Sequence, residues 1–324
     1  MQRVRGRLAP SPTGYLHLGN AWSFLWAWLA ARHEGGQVVL RMEDIDPQRS
    51  RPEYAHAIRE DLRWLGLDWD EGPDMGGSYG PYTQQERLPL YQEVLRSFTQ
   101  RGIAYPCFCT RKELRSLAGA PHWGDAGAAY SGTCRGLSAA DIEAKLRSGR
   151  RPALRLLCPC EPIVFNDALY GQQQCTLQEI GGDFALCRSD GVVAYQLAVA
   201  VDDHAMGITQ VVRGKDILIS TPRQIALMRL LGAQTIPQYG HIALLLDEQG
   251  ERLAKRHNSM TLRSLRQQGM TAPQLTGLLA YWAGLQTQPV PRSAAALIPL
   301  FDWHRLVRHN VSVPSSLCAA RADL

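Results

Sequence analysis

At 324 residues, 45% of them hydrophobic and 20% charged, the chain is long enough to bury a sizeable core and to divide into two or three domains. No run is long and apolar enough to cross a bilayer, and "MQRVRGRLAP" carries no apolar signal core, so a cytoplasmic protein without membrane contact is expected. In that compartment the eight cysteines are expected as thiols or metal ligands, not disulfides. The net charge of +5 is uneven: residues 251–324 hold nine Lys/Arg against three Asp/Glu, a surplus of +6 on a body that sums to −1. A basic end suits a polyanion partner; a solvated helix face is the competing reading.

Taken in order, a short strand near 3–8 enters the loop "RLAPSPTGYLHLGN" (7–20), and the Trp-rich "AWSFLWAWLAA" (21–31) follows as a buried helix. "QVVLRMED" (37–44) reads as a second strand and "PEYAHAIREDLRWLGL" (52–67) as a helix opened by proline. Strand, helix, strand, helix predicts a parallel α/β sheet. The stretch 105–190 differs in texture, being rich in Cys, Gly and Gln. It includes two short helices, "TRKELRSL" opening on a capping box and "SAADIEAKLRSG", and reads as an insertion. "GVVAYQLAVAVDD" (191–203) and "GITQVVRG" (207–214) read as strands. "TPRQIALMRLLG" (221–232) reads as a helix with threonine at its N-cap, and "HIALLLDEQGERLAK" (241–255) as a strand and glycine turn. "APQLTGLLAYWAGL" (272–285) places Leu275, Leu278, Leu279 and Trp282 on one helical stripe. The expected domains are 1–104 and 191–250 as halves of one parallel α/β domain, 105–190 inserted between them, and 251–324 as a basic loop with a helical end.

Ligands of open parallel sheets bind beyond the carboxyl ends of the strands, where the loop at 9–20 falls. Its glycines admit a phosphate to a helix N-terminus, and His17 adds a hydrogen-bond donor, although a lone loop histidine is more often structural. Glu43 and Asp44 end the second strand; capping or solvated acids are the plain alternative. Tyr195 and Arg213 are placed on later strands, and Arg213 offers a planar fork for a carboxylate or phosphate. Lys255 follows a strand in a basic loop and is suited to a leaving pyrophosphate.

Together "RLAPSPTGYLHLGN", "LRMEDID", "WLGLDWDEGP", "PYTQQER", "VVAYQLAVAVDDH", "VVRGKDILISTPRQ" and "RLAKR" resemble, in order over about residues 3–260, the class I glutamyl-tRNA synthetase family. The resemblance implies a Rossmann-like sheet with a zinc-bearing α+β insertion. It also implies ATP-dependent activation of L-glutamate to glutamyl-adenylate, with Mg²⁺ accompanying ATP. Arg7, Leu8, Ala9, Pro10, Ser11, Glu43, Tyr195 and Arg213 would hold glutamate; His17, Gly19 and Lys255 would bind ATP, His17 and Lys255 catalytically. "RLAKR" keeps one of the second signature's two usual lysines, which leaves Lys255 aligned and Arg252 without a counterpart. Only 65 residues follow Ser259, and no anticodon-reading module is expected among them. That points to the truncated branch of the family, which activates glutamate without tRNA and passes it to queuosine in tRNA(Asp). A monomer is expected. The rival readings are a minimal glutamyl-tRNA synthetase charging the tRNA 3′ end, and a non-catalytic RNA-binding relative.

The resemblance also implies a structural zinc on Cys107, Cys109, Tyr130 and Cys134. Tyrosine is an unusual ligand, so His122 as the fourth donor, or an all-cysteine set with Cys158 and Cys160, stays open. Cys158, Cys160, Cys175, Cys187 and Cys318 otherwise receive no role.

Overall fold

A computed structural model describes residues 3–110, 112–114, 130–253 and 260–314. The first half runs β1 (Arg5–Leu8), α1 (Leu18–His33), β2 (Gln37–Leu40), α2 (Pro52–Trp64) and α3 (Leu88–Gln100). The middle runs β3 (Ala104–Cys107), α4 (Ala139–Arg147), β4 (Ala153–Leu156), β5 (Ile163–Asp167), β6 (Gly171–Cys175) and β7 (Ala185–Cys187). Then come α5 (Tyr195–Ala205), β8 (Gln210–Gly214), α6 (Thr221–Leu230), β9 (Gln238–Ile242) and β10 (Leu245–Leu246). The last elements are α7 (Leu262–Gln267), α8 (Ala272–Trp282), α9 (Ala294–Leu297) and β11 (Val311–Ser312).

β1 pairs in parallel with β2, and β8 with β9, as the strand-helix alternation requires. β1 lies beside β8, where the Thr209 N–H donates to the Arg5 carbonyl at 2.9 Å. β9 continues to β5 through Asp167 and Tyr239, and β5 turns back antiparallel into β6. Residues 163–167 of the middle segment therefore join the four-stranded sheet β6-β5-β9-β8, next to the strands that follow the middle segment. A separate antiparallel sheet, β3-β4-β7, carries the cysteine-bearing loops.

The sheet is covered on both faces, and strand alternation shows it. Val38 and Leu40 enter one apolar core with α1 and α8, while Val39 enters the other with α3, α5 and α6. Three α1 tryptophans fill the first core, two of them with polar partners. The indole N–H of Trp22 donates to the Ala243 carbonyl (2.7 Å), and that of Trp28 to Asp68 Oδ1 (2.8 Å).

Two readings of the sequence are corrected. "YQLAVAV" is helix α5, not a strand, and packs against α6. Ser220, not Thr221, stands at the N-cap position of α6 and makes no side-chain capping bond, and Thr221 turns its hydroxyl elsewhere, as described below. The capping boxes at Ser138–Asp141 and Thr271–Gln274 are present. So are the reciprocal bonds between Thr110 and Glu113, with 112–114 helical; residues 111 and 115–117 of that predicted helix lie outside the described residues.

Gly277 in α8 shows where packing overrides propensity. A Cβ there would run into the Val290 carbonyl oxygen and come within 2.9 Å of the Arg292 N–H nitrogen. Arg292 N–H donates to Pro273 O (2.8 Å), so that segment cannot drift away freely. Gly277→Ala ordinarily gains about 1 kcal/mol of helix propensity. Here it is expected to lower stability instead, by about 1–3 kcal/mol of overpacking. Urea unfolding of the variant checks this; a raised midpoint would refute it.

Candidate functional site

A cavity of about 790 Å³ opens beyond the carboxyl ends of β1, β2 and β8. Ala9, Pro10, Ser11, His17, Gly19, Glu43, Tyr195 and Arg213 all line it, brought together from segments up to two hundred residues apart. Arg7 lies behind this wall, and the Leu8 side chain is wholly buried in the core. Lys255 lies outside the described residues, although its neighbour Leu253 lines the cavity.

The wall is built on a buried charge cluster that the sequence reading did not assign. Arg41 has no exposed surface, yet its guanidinium meets Asp203 (2.6 Å), Glu43 (3.0 Å) and Asp202 (3.6 Å). Burial works against its charge, and these three carboxylates outweigh that cost, so Arg41 stays a cation. Asp202 is further held by Arg87 (2.6 Å), Tyr91 (2.8 Å) and Gln84 (2.9 Å). Arg7 reaches Asp203 at 3.5 Å, and its buried Nε has no hydrogen-bond partner. Burial also raises the Glu43 carboxyl above its ordinary value, with Arg41 only partly offsetting it. One more cation in the cavity would complete the neutralisation of Glu43.

Arg213 is oriented from behind. Its Nε donates to His241 Nε2 (3.0 Å), Nη1 to Gln224 (2.7 Å) and Nη2 to the Thr221 hydroxyl (2.7 Å). A guanidinium has five N–H groups, so one remains on each terminal nitrogen, the geometry that grips a carboxylate in a fork. Because Arg213 can only donate, His241 Nε2 must be bare and its proton sits on Nδ1, which faces Asp167 Oδ2 at 2.6 Å. Asp167 also accepts the N–H groups of Leu169 and Tyr170, which fixes its carboxylate at the end of β5.

The loop side is equally constrained. His17 is the N-cap of α1: the Gly19 N–H donates to its Nδ1 (3.1 Å), and Asn20 returns a bond to the His17 N–H (3.0 Å). The capping role expected as the plain alternative is real. With Nδ1 accepting from Gly19, Nε2 carries the ring proton. A bridge between His17 and Thr261 ties this turn to the segment after the second signature.

In the middle segment Cys107, Cys109 and Cys134 bring their sulfurs within 4.8 Å of one another, a group able to hold a metal ion. Cys109 and Cys134 sulfurs are 3.6 Å apart, too far for a disulfide. A tetrahedral zinc with bonds of about 2.3 Å would set neighbouring sulfurs about 3.8 Å apart, so the spacing fits. The Tyr130 hydroxyl lies 3.5 Å from the Cys107 sulfur. Burial, then contact with Cys134, pushes the Cys109 thiol up to about 12; crowded thiols of this kind ionise readily only around a cation. Cys158 turns instead to the Gly182 carbonyl (3.2 Å) and Cys160 is exposed, so the all-cysteine alternative is not assembled; His122 and Cys318 lie outside the described residues.

A two-faced parallel sheet with its cavity above the strand ends, cations and one acid in its wall, and a histidine-capped helix defines a class. Residues 3–282 match the tRNA synthetases class I (E and Q), catalytic domain, and the chain belongs to that family, an ATP-dependent ligase. It is 58% identical over 314 residues to glutamyl-Q tRNA(Asp) synthetase of Nitratidesulfovibrio vulgaris. The protein of the same name from Symbiobacterium thermophilum is 50% identical over 316 residues, and both matches cover 97% of each chain. Glutamate–tRNA ligase 2 of Acidithiobacillus ferrooxidans is 44% identical over 86% of this chain, which spans 57% of that longer protein. The crystal structure of a glutamate tRNA ligase from Elizabethkingia meningosepticum, in complex with its amino acid, superposes with a TM-score of 0.81. That match has 27% identity and covers 98% of this chain and 68% of the other. Among the described residues no helix is long and apolar enough to cross a membrane.

His241 provides a direct check of the site. Burial and the nearby Arg213 lower its pKa from 6.5 to about 4, against the pull of Asp167. Between those values the unfolded chain binds a proton that the folded site refuses, so this group withdraws stability as pH falls from 6.5 towards 4. Asp61, raised to about 6, acts in the opposite sense, so melting curves mix the two. Nitrogen-15 spectra of the imidazole are therefore the measurement. A neutral Nδ1–H ring down to about pH 4 is expected, and titration near 6.5 would refute the arrangement.

Proposed function

We propose that the cavity activates glutamate with ATP in the absence of tRNA and that the product is transferred to the queuosine base of tRNA(Asp). One observation carries the first part. The cleft and its wall hold Arg213 with a fork to spare, the buried cation Arg7 behind it with its Nε 3.5 Å from Asp203, and Glu43, whose carboxyl burial raises despite Arg41. Glutamate has two carboxylates and one ammonium, the complement of that set. Its ammonium would lie against Glu43 and a carboxylate on Arg213, with Tyr195 at the wall and the backbone of Ala9, Pro10 and Ser11 beneath.

The α-carboxylate oxygen then attacks the ATP α-phosphorus. The new bond is carbonyl–oxygen–phosphorus, and the bond to pyrophosphate breaks with its electron pair leaving on the pyrophosphate. The protein supplies no nucleophile; positioning and charge stabilisation carry the step. His17 Nε2–H and the positive end of α1 face the phosphates, and Lys255 in the second signature would take the leaving group. Class I synthetases use ATP with Mg²⁺, which enters here as the counter-ion of the nucleotide. In the second step a hydroxyl of the acceptor attacks the glutamyl carbonyl, and AMP leaves.

The acceptor reading is supported by the two relatives named for it, which match over 97% of their own length, whereas glutamate–tRNA ligase 2 extends far beyond the match. The basic surplus of residues 251–324 suits an RNA. Zinc on Cys107, Cys109, Cys134 and Tyr130 would brace the middle segment, since a fourth protein ligand leaves no open position for chemistry.

Three measurements test this. tRNA(Asp) with and without queuosine is incubated with labelled glutamate, digested with nuclease and analysed by mass spectrometry. Label is expected on queuosine; label on the terminal adenosine of queuosine-free tRNA would favour a minimal glutamyl-tRNA synthetase. Arg213→Ala is expected to raise the glutamate KM in ATP–pyrophosphate exchange by an amount on the order of 2–3 kcal/mol; an unchanged KM removes Arg213 from the pocket. Metal analysis is expected to find one zinc per chain. Cys109→Ser should lose it and lower stability more than tRNA-free exchange, and a folded wild-type protein without zinc would refute the site.

A further inference from the structure

A second cavity of about 340 Å³ adjoins the cleft between α2 and α7, lined by Tyr15, Glu60, Asp61, Arg263, Arg266 and Gln267. Tyr15 lines both cavities and forms the wall between them. Its ring is 37% exposed and is braced edge-on by Tyr54 at 5.1 Å. The Arg263 guanidinium lies 5.1 Å from the Tyr15 ring centre, and Arg266 lies 6.0 Å from that of Trp64. Asp61 is only 6% exposed, and its Oδ2 is buried with no hydrogen-bond partner. Arg263 and Arg266 are near enough to favour its charge, but burial dominates and raises it to about 6. A carboxylate left in this state is costly, and an N–H donor from a ligand would relieve the cost.

The lining sets three demands on an occupant: a flat face for Tyr15 and Arg263, an N–H edge for Asp61, and an anion for the arginines. An acidic peptide fails the second demand, because its carboxylates would meet Asp61 and Glu60. A nucleotide meets all three. We infer that this cavity takes one nucleotide of the acceptor RNA next to the one in the cleft, its base on Tyr15 with an exocyclic amino N–H on Asp61 Oδ2 and its phosphate between Arg263 and Arg266. This rests on the proposal that the acceptor is an RNA, and free ATP is the other source of the same chemistry.

The test uses the full chain, with Asp61→Asn and Arg266→Gln compared in two assays. In glutamate-dependent ATP–pyrophosphate exchange both variants are expected to match the wild type, with an unchanged KM for ATP. In transfer to queuosine-bearing tRNA(Asp) each is expected to lose about tenfold in kcat/KM. Arg266→Gln should also flatten the salt dependence of transfer by about one phosphate contact. Anticodon-loop variants then replace guanosine by inosine or cytidine by uridine, one position at a time. The wild type should lose about tenfold at one position, and Asp61→Asn should be indifferent to that same change. Equal losses in exchange and transfer, a raised KM for ATP, or transfer by Asp61→Asn at the wild-type rate would each overturn the inference. A wild type that glutamylates no RNA would overturn the acceptor reading itself, a result distinct from variants that transfer normally.

Discussion

Everything at the head of the sheet depends on keeping the Arg41 guanidinium charged where no water reaches it. Three carboxylates from two elements surround it, and one of them, Asp202, is shared with Arg87, Tyr91 and Gln84. The cluster thus joins the end of β2 to the last turns of α5 and to the start of α3, over more than a hundred residues of sequence. Removing one partner of such a buried set costs about 3–5 kcal/mol, a large part of the 5–15 kcal/mol that holds a domain together. An apolar core would be as stable in the same volume. What it would not provide is an ionised Glu43 at the cavity wall, because burial alone drives that carboxyl towards the neutral form.

The sheet was legible because its signals are local. Strand-helix alternation, a proline at the start of α2 and the capping boxes all act within a few residues. α5 was misread because Leu197–Asp203 is buried on every side, and a short apolar run rich in valine and alanine fits either period. The error matters at the site. On a strand, adjacent Asp202 and Asp203 would point to opposite faces; on a helix they are about 100° apart, and both reach Arg41.

The cavity residues were legible for a different reason: they sit in an ordered series of motifs whose resemblance to one family spans most of the chain. Their supports were not. Arg41 lies inside a quoted motif with nothing to mark it apart from neighbouring surface arginines. His241 and Asp167 are separated by dozens of residues, and only the parallel contact of β5 with β9 brings them together. Asp61 looks in sequence like one more acid on an amphipathic helix, and only burial distinguishes it.

These supports bear on the proposed activation of glutamate without RNA. Arg213 is held by three hydrogen bonds before any ligand arrives, and His241 is fixed in one tautomer by Asp167 and Arg213. A pocket whose donors are already aimed spends little binding free energy on ordering them, which is what the proposed tRNA-independent activation requires. Arg263 and Arg266 differ in kind: they project from the short helix α7 onto aromatic faces, and their guanidiniums take part in no ion pair among the described residues. Charge presented in that way waits for a polyanion. Under the proposed function the two halves of the reaction would draw on different physics, a rigid buried network for the amino acid and an exposed basic face for its acceptor.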